Sequence, residues 1–296
     1  MNYKMVGFVL GRIFLIEAAL MLFPMGCAAI YGEWSVVLSF LWPTLIVLVL
    51  GLITSLRTPQ NTKIYARDGL AIVALVWVLM SVFGALPFVI SGEIPSFADA
   101  FFETVSGFTT TGSTILTDVE ALSHGTLFWR SFSHWIGGMG VLVFAMAVLP
   151  MTDGRAMHLM RAEVPGPTCG KISSKLSDSA KILYAIYLVM TVIETILLCA
   201  GGMPLFDALI HAFGTAGTGG FSNKALSVGA YNSPYFEIVI GVFMLLFGIN
   251  FNLYYFLLLR HFRAAFASEE MRVYLGIVAF STLTITANIA GMYDSV

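Results

Sequence analysis

Charge is the scarcest property of this chain. Only 11% of its 296 residues are Asp, Glu, Lys or Arg, whereas 58% are apolar. Soluble domains carry about 25% charged residues, which excludes an ordinary water-soluble fold. The net charge of −2 removes the electrostatic basis for holding nucleic acid. Cysteine is also sparse. Cys27, Cys169 and Cys199 lie far apart, with no CxxC or Cys/His cluster, so neither a disulfide framework nor a zinc site is expected. His124, His134, His158, His211 and His261 are scattered, with no HExxH spacing. GxSxG, Walker-type and GxGxxG-plus-acid constellations are missing too, so no catalytic machinery and no bound cofactor are expected.

What the chain has in quantity is long apolar runs. A spanning helix needs about 20 mostly apolar residues. Candidates are 5–30, 35–56, 69–91, 126–149, 182–200, 236–259 and 273–291. One soluble core could not hide them all. Residues 1–30 have the look of a signal peptide, and Gly26-Cys27 is loosely like a lipoprotein cleavage site. Pro24 fits such a site poorly, and Arg12 and Glu17 interrupt the apolar stretch, so the segment is read as a retained first helix. Two further apolar pieces, 97–108 and 205–216, are too short to cross and are expected to be re-entrant. With the N-terminus in the cytoplasm, this arrangement leaves 13 of the 15 Lys and Arg residues on the inner side, with Arg130 and Lys224 outside. That obeys the positive-inside rule. Had both short pieces crossed, loop 150–181 with its five basic residues would face outward.

The short pieces are copies of each other at an offset of 108 residues. Asp99 matches Asp207, Ala100 matches Ala208, Thr110 matches Thr218, Gly112 matches Gly220, and Gly140 matches Gly248 in the following helix. Each unit reads as helix, short helix, Gly/Thr loop, helix, and a repeat of this kind defines architecture. The fold class expected is an all-α membrane protein: two leading transmembrane helices, then tandem helix–pore loop–helix repeats, two complete and a third begun. The expected divisions are 1–66, 67–160, 161–266 and 267–296.

Backbone that is neither helix nor closed barrel is tolerated at membrane depth only against protein or a water-filled path. Successive carbonyls and threonine hydroxyls can replace the water shell of a cation. Glycine supplies dihedrals closed to residues with a Cβ, and a short helix aims the negative end of its dipole at the ion. Asp99 and Asp207 are expected to cap the short helices. Neither loop holds a carboxylate, so an acidic ring is not indicated.

Thr110-Thr111-Gly112-Ser113-Thr114 and Thr218-Gly219-Gly220-Phe221-Ser222, each on such a unit, resemble the selectivity filters of the Trk/Ktr/HKT superfamily of potassium transporters. The two leading helices and the text His211-Ala-Phe-Gly-Thr-Ala-Gly-Thr-Gly-Gly-Phe-Ser222 are similar to its TrkH branch. The resemblance implies potassium as the transported substrate, held through Thr110, Thr111, Gly112, Thr218, Gly219 and Gly220. It implies uptake across the bacterial inner membrane, contact with membrane lipid, a homodimer, and gating by a cytosolic nucleotide-binding Trk regulatory ring protein. Family members carry four such units. This chain has two and stops at Val296, so truncation after the second repeat is the expectation. A non-conducting fragment or subunit, and a secondary ion transporter with broken helices, remain alternatives.

Other residues have plainer readings. Gly137, Gly138 and Gly140 suit close helix packing, with a hinge as the alternative. Arg12, Glu17 and Glu194 are ionisable residues in apolar runs; Arg12 and Glu17 are expected to pair with headgroups, neighbouring helices or each other. Asn250 and Asn252 suit interhelical hydrogen bonds. Lys224 reads as a solvated loop charge. Loop 150–181 reads equally as a docking surface or a plain linker.

Overall fold

A computed structural model describes residues 1–56, 58–61, 65–140, 176–262 and 267–290. They fall into two compact units, Met1–Phe247 and Gly248–Val296.

The first unit opens with α1 (Tyr3–Leu20) and α2 (Leu22–Ile30), followed by α3 (Trp34–Ser55). Pro24 explains the break at Met21, because it lacks the N–H that would continue the α1 ladder and sits in the first turn of α2, where none is needed. α1 and α2 together form one apolar stretch, Tyr3–Ile30. Then come α4 (Ala66–Ser91), α5 (Phe97–Phe108) and α6 (His124–Met139). After the undescribed segment, α7 (Leu176–Ala200), α8 (Leu205–Ala216), a 3₁₀ turn (Ser227–Tyr231) and α9 (Pro234–Phe247) complete the unit. The second unit holds α10 (Phe251–Leu258) and α11 (Glu269–Ile289).

No strand occurs among the described residues, and the fold is all-α. Tyr3–Ile30, Trp34–Ser55, Arg67–Ser91, Ala180–Ala200 and Glu269–Ile289 are each long and apolar enough to cross a membrane. The expected span 126–149 is described only through α6 and Gly140; residues 141–149, and 150–175 of the expected docking loop, lie outside the described residues. The expected span 236–259 is not continuous. Helix α9 stops at Phe247 and α10 starts at Phe251, because Asn250 turns its side chain to accept the Asn252 N–H at 3.0 Å and caps a new helix.

The core of the first unit centres on Trp129 of α6. Phe40 of α3 and Phe108 of α5 meet its ring edge-on, and its indole N–H donates to the Gly84 carbonyl of α4 at 2.9 Å. That one residue joins four helices around the short α5. A smaller cluster of Leu198, Met203, Ala208, Phe236 and Ile240 seats α8 in the same way. Large apolar side chains such as Leu38, Ile46 and Ile53 of α3 and Val189, Val192 and Ile196 of α7 face outward. In water such a surface would drive association; against lipid it is satisfied. In the second unit Asn250 donates to Glu270 at 3.1 Å, as an interhelical partner should.

Candidate ion-conduction site

The short helices α5 and α8 are both 12 residues long and occupy the same repeat position, 97–108 and 205–216. Their ends unwind identically. Thr109, Thr110 and Thr111 donate to the carbonyls of Val105, Gly107 and Ser106; Gly217, Thr218 and Gly219 donate to those of Phe213, Thr215 and Gly214. Thr110 and Thr218 have φ of 55° and 57°, and Gly112 and Gly220 have φ of 75° and 81°. A threonine at positive φ is rare, because its branched Cβ crowds the backbone. Finding two, each two residues before a left-handed glycine, marks a designed turn rather than a loose loop.

The consequence lies in the carbonyls. Among the described residues, no hydrogen bond reaches the carbonyl oxygens of Thr110, Thr111, Gly112, Thr218, Gly219 or Gly220. Thr111, Thr218 and Gly220 are exposed and Thr110, Gly112 and Gly219 half-buried, so these carbonyls are open to water or to an ion. The two loops also meet: a Cβ built on Gly112 would collide with the carbonyl oxygen of Gly219. The remaining four of the ten candidate residues are tied back to the scaffold. The Ser113 carbonyl accepts the Ser106 hydroxyl at 2.6 Å, and Thr114 donates its hydroxyl to Glu103 at 2.9 Å. The Phe221 carbonyl lies against Gly214, where a Cβ would stand 2.6 Å from it. Ser222 pairs with His211 Nε2 at 3.1 Å. His211 Nδ1 lies 2.8 Å from the Asp207 carbonyl, which can only accept, so Nδ1 carries a proton and Nε2 faces the Ser222 hydroxyl.

Thr114 and Ser222 are equivalent in the repeat, and so are the groups that hold them, Glu103 and His211. Sequence reasoning missed both holders. It also counted Arg130 merely as a basic residue of the outer side, whereas Arg130 is only 3% exposed. Its Nε lies 2.5 Å from Glu103 and another guanidinium nitrogen donates to the Ser222 carbonyl at 3.1 Å. His134, counted among scattered histidines, stacks on Phe221 with centroids 3.9 Å apart and packs beside Gly219. The signal was available: a charged residue in an apolar span is a functional suspect by default.

Several lesser expectations change. Ser96, not Asp99, caps α5 by accepting the Asp99 N–H at 3.4 Å. Asp207 instead accepts from Asn223 at 2.6 Å and from the Tyr231 hydroxyl at 2.7 Å, anchoring the chain that leaves the second loop. Burial, then the Asp207 carboxylate, holds the Tyr231 phenol above its usual pKa. Lys224 pairs with Glu120 at 3.6 Å. Arg12 lies over the Phe8 ring rather than on Glu17, which is fully buried. Gly137 and Gly138 pack as expected, against Phe108 and against Tyr187 with Gly217; Gly140, at φ 78°, ends α6. Among the described residues no group of three or more His, Cys, Asp or Glu could hold a metal ion.

Known proteins are similar to this chain in sequence and fold. Residues 36–289 match the family model TrkH, described as a cation transport protein. The chain is 39% identical to the Trk system potassium uptake protein TrkH of Salmonella typhimurium, over 80% of this chain and 50% of that protein. It is 34% identical to the Trk system potassium uptake protein TrkG of Escherichia coli, over 99% of this chain and 61% of that protein. The crystal structure of the potassium transporter TrkH from Vibrio parahaemolyticus superposes with a TM-score of 0.85 at 29% identity, covering all of this chain and 61% of that one. The chain thus spans half to three-fifths of the length of these relatives. By the family match and the shared fold, this multi-pass membrane chain belongs to the TrkH family of cation transport proteins.

Proposed function

We propose that this chain supplies two of the filter segments that line a potassium-uptake path, and that potassium is its substrate. The observation that carries this reading is the pair of matching turns, with six carbonyls, of Thr110, Thr111, Gly112, Thr218, Gly219 and Gly220, that accept no hydrogen bond among the described residues. Carbonyl oxygens held by a scaffold can replace the hydration shell of a cation without a charged side chain. The C-terminal ends of α5 and α8 add partial negative charge at the same place. Ser113, Thr114, Phe221 and Ser222 serve the filter by anchoring it.

The cellular setting is part of the same proposal: the inner membrane, an N-terminus in the cytoplasm, a homodimer, and control by a cytosolic nucleotide-binding ring protein. The distribution of basic residues supports the orientation, with 13 of 15 on the proposed inner side. The repeat divisions 67–160 and 161–266 are proposed as the functional quarters.

The test is rubidium uptake into proteoliposomes, competed by potassium or sodium. Wild-type uptake should yield to potassium and resist sodium. The Gly112→Ser/Gly220→Ser pair should lose that preference, and an unchanged preference would refute the filter assignment.

A further inference from the structure

The two filter segments are joined by two buried side chains, Glu103 and Arg130. Glu103, on α5, accepts the Thr114 hydroxyl at 2.9 and 3.0 Å and the Ile115 N–H at 3.1 Å, so it grips the end of the first filter. Arg130, on α6, meets Glu103 through Nε and the Ser222 carbonyl of the second filter through a terminal nitrogen. The guanidinium also lies 3.5 Å above the Phe221 ring centroid. A planar fork can point two nitrogens at two partners while stacking on an aromatic face, and an ammonium cannot. The chain of contacts therefore runs from Thr114 through Glu103 and Arg130 to Ser222.

This connection is built once, between the repeats. The position equivalent to Glu103 is His211, and that equivalent to Arg130 is Ile238, whose side chain is exposed. Local anchoring of each loop is thus duplicated, whereas the link from loop to loop is not. Both charges are buried, and among the described residues each is compensated by the other and by the contacts named.

We propose that Glu103 and Arg130 form a bracket that fixes the spacing of the two filter segments, with Arg130 a positioning residue for cation discrimination. This rests on the carbonyl-filter reading. Two consequences differ in kind. Loss of the Arg130 fork lets Ser222, and with it the Thr218–Phe221 carbonyls, drift from the first loop, which alters selection by ion size. Loss of the Glu103 charge leaves an uncompensated cation beside the path, which weakens cation affinity.

The experiment measures potassium, rubidium and sodium uptake by the transport-competent protein carrying Arg130→Met, Arg130→Lys, Glu103→Gln, or Glu103→Gln with Arg130→Met. Folding is checked by monodispersity in detergent. Arg130→Met should lower the potassium-over-sodium ratio at least fivefold and Arg130→Lys by less. Glu103→Gln should raise the KM for potassium at least fivefold. The double variant should recover KM but not the ratio, a split that mere destabilisation does not give. Folded Arg130→Met and Arg130→Lys proteins with the wild-type ratio would overturn the bracket. If Arg130→Met does not fold, wild-type ratio and KM in the volume-preserving Arg130→Lys and Glu103→Gln proteins overturn it equally. A changed ratio for Gly112→Ser in the same assay would show that the filter reading survives that outcome.

Discussion

Alanine at Gly112 and alanine at Gly220 should have unequal effects, although the repeat makes the two positions equivalent. Both sit at left-handed φ, 75° and 81°. A Cβ there costs about 1–2 kcal/mol of backbone strain at either site. The surroundings differ. At Gly220 the new methyl meets no atom within 4 Å. At Gly112 it collides with the Gly219 carbonyl oxygen, and carbon–oxygen contacts settle at about 3.3–3.6 Å, so that carbonyl must retreat by more than about 1 Å. The Gly219 carbonyl is one of the six that accept no hydrogen bond among the described residues, so the displacement falls on a proposed ion ligand of the other loop. Losing about 1.4 kcal/mol of differential binding between two cations is a tenfold loss of preference. Gly112→Ala should therefore cut the potassium-over-sodium ratio about tenfold or more, and Gly220→Ala by less than about threefold, on the same scale. Reversal potentials in mixed-cation gradients across proteoliposomes measure both. Equal effects, or a larger effect at Gly220, would refute the reasoning that the loops press on each other at Gly112 and Gly219.

Two further predictions concern the scaffold. Glu33, immediately before α3, accepts from the His124 N–H at 2.8 Å, the Gly125 N–H at 3.0 Å and His124 Nδ1 at 2.8 Å, and so caps α6. Burial pushes its pKa up, but these hydrogen bonds and the adjacent His124 outweigh it and hold it below the ordinary 4.5. A carboxylate depressed in the folded state stabilises above its unfolded value, and that contribution fades as pH falls through the folded value. Thermal midpoints in detergent should thus decline below about pH 4.5, and Glu33→Gln should be less stable at neutral pH with a flatter acid limb. Gly137→Ala should destabilise the protein by about 1–3 kcal/mol, seen as a lower thermal midpoint, because the added methyl strikes the Phe108 carbonyl at the end of α5.

The bounds of α5 and α8 were legible because length, apolar content and the 108-residue offset all point to the same residues. Gly112 and Gly220 stood out for a similar reason: a repeated glycine in a repeated threonine loop has few uses other than positive φ. The interruption between α9 and α10 was hidden, since Asn250 caps a helix with the same side chain that suits an interhelical contact. Arg130 was hidden by topology. A basic residue counted on the outer side says nothing of depth, and its partner Glu103 lies 27 residues away on another helix. The pairing of Thr114 with Glu103 and Ser222 with His211 could have been found by asking which polar positions in the short helices repeat together. It required comparing roles rather than identities, because a carboxylate and an imidazole look unrelated until both are seen holding a hydroxyl.

Anomalous scattering from rubidium-soaked crystals of the transport-competent protein tests the central claim most directly. The account predicts rubidium density coordinated by the carbonyls of Thr110 to Gly112 and Thr218 to Gly220. Absence of density there while rubidium occupies another site along the path would contradict it.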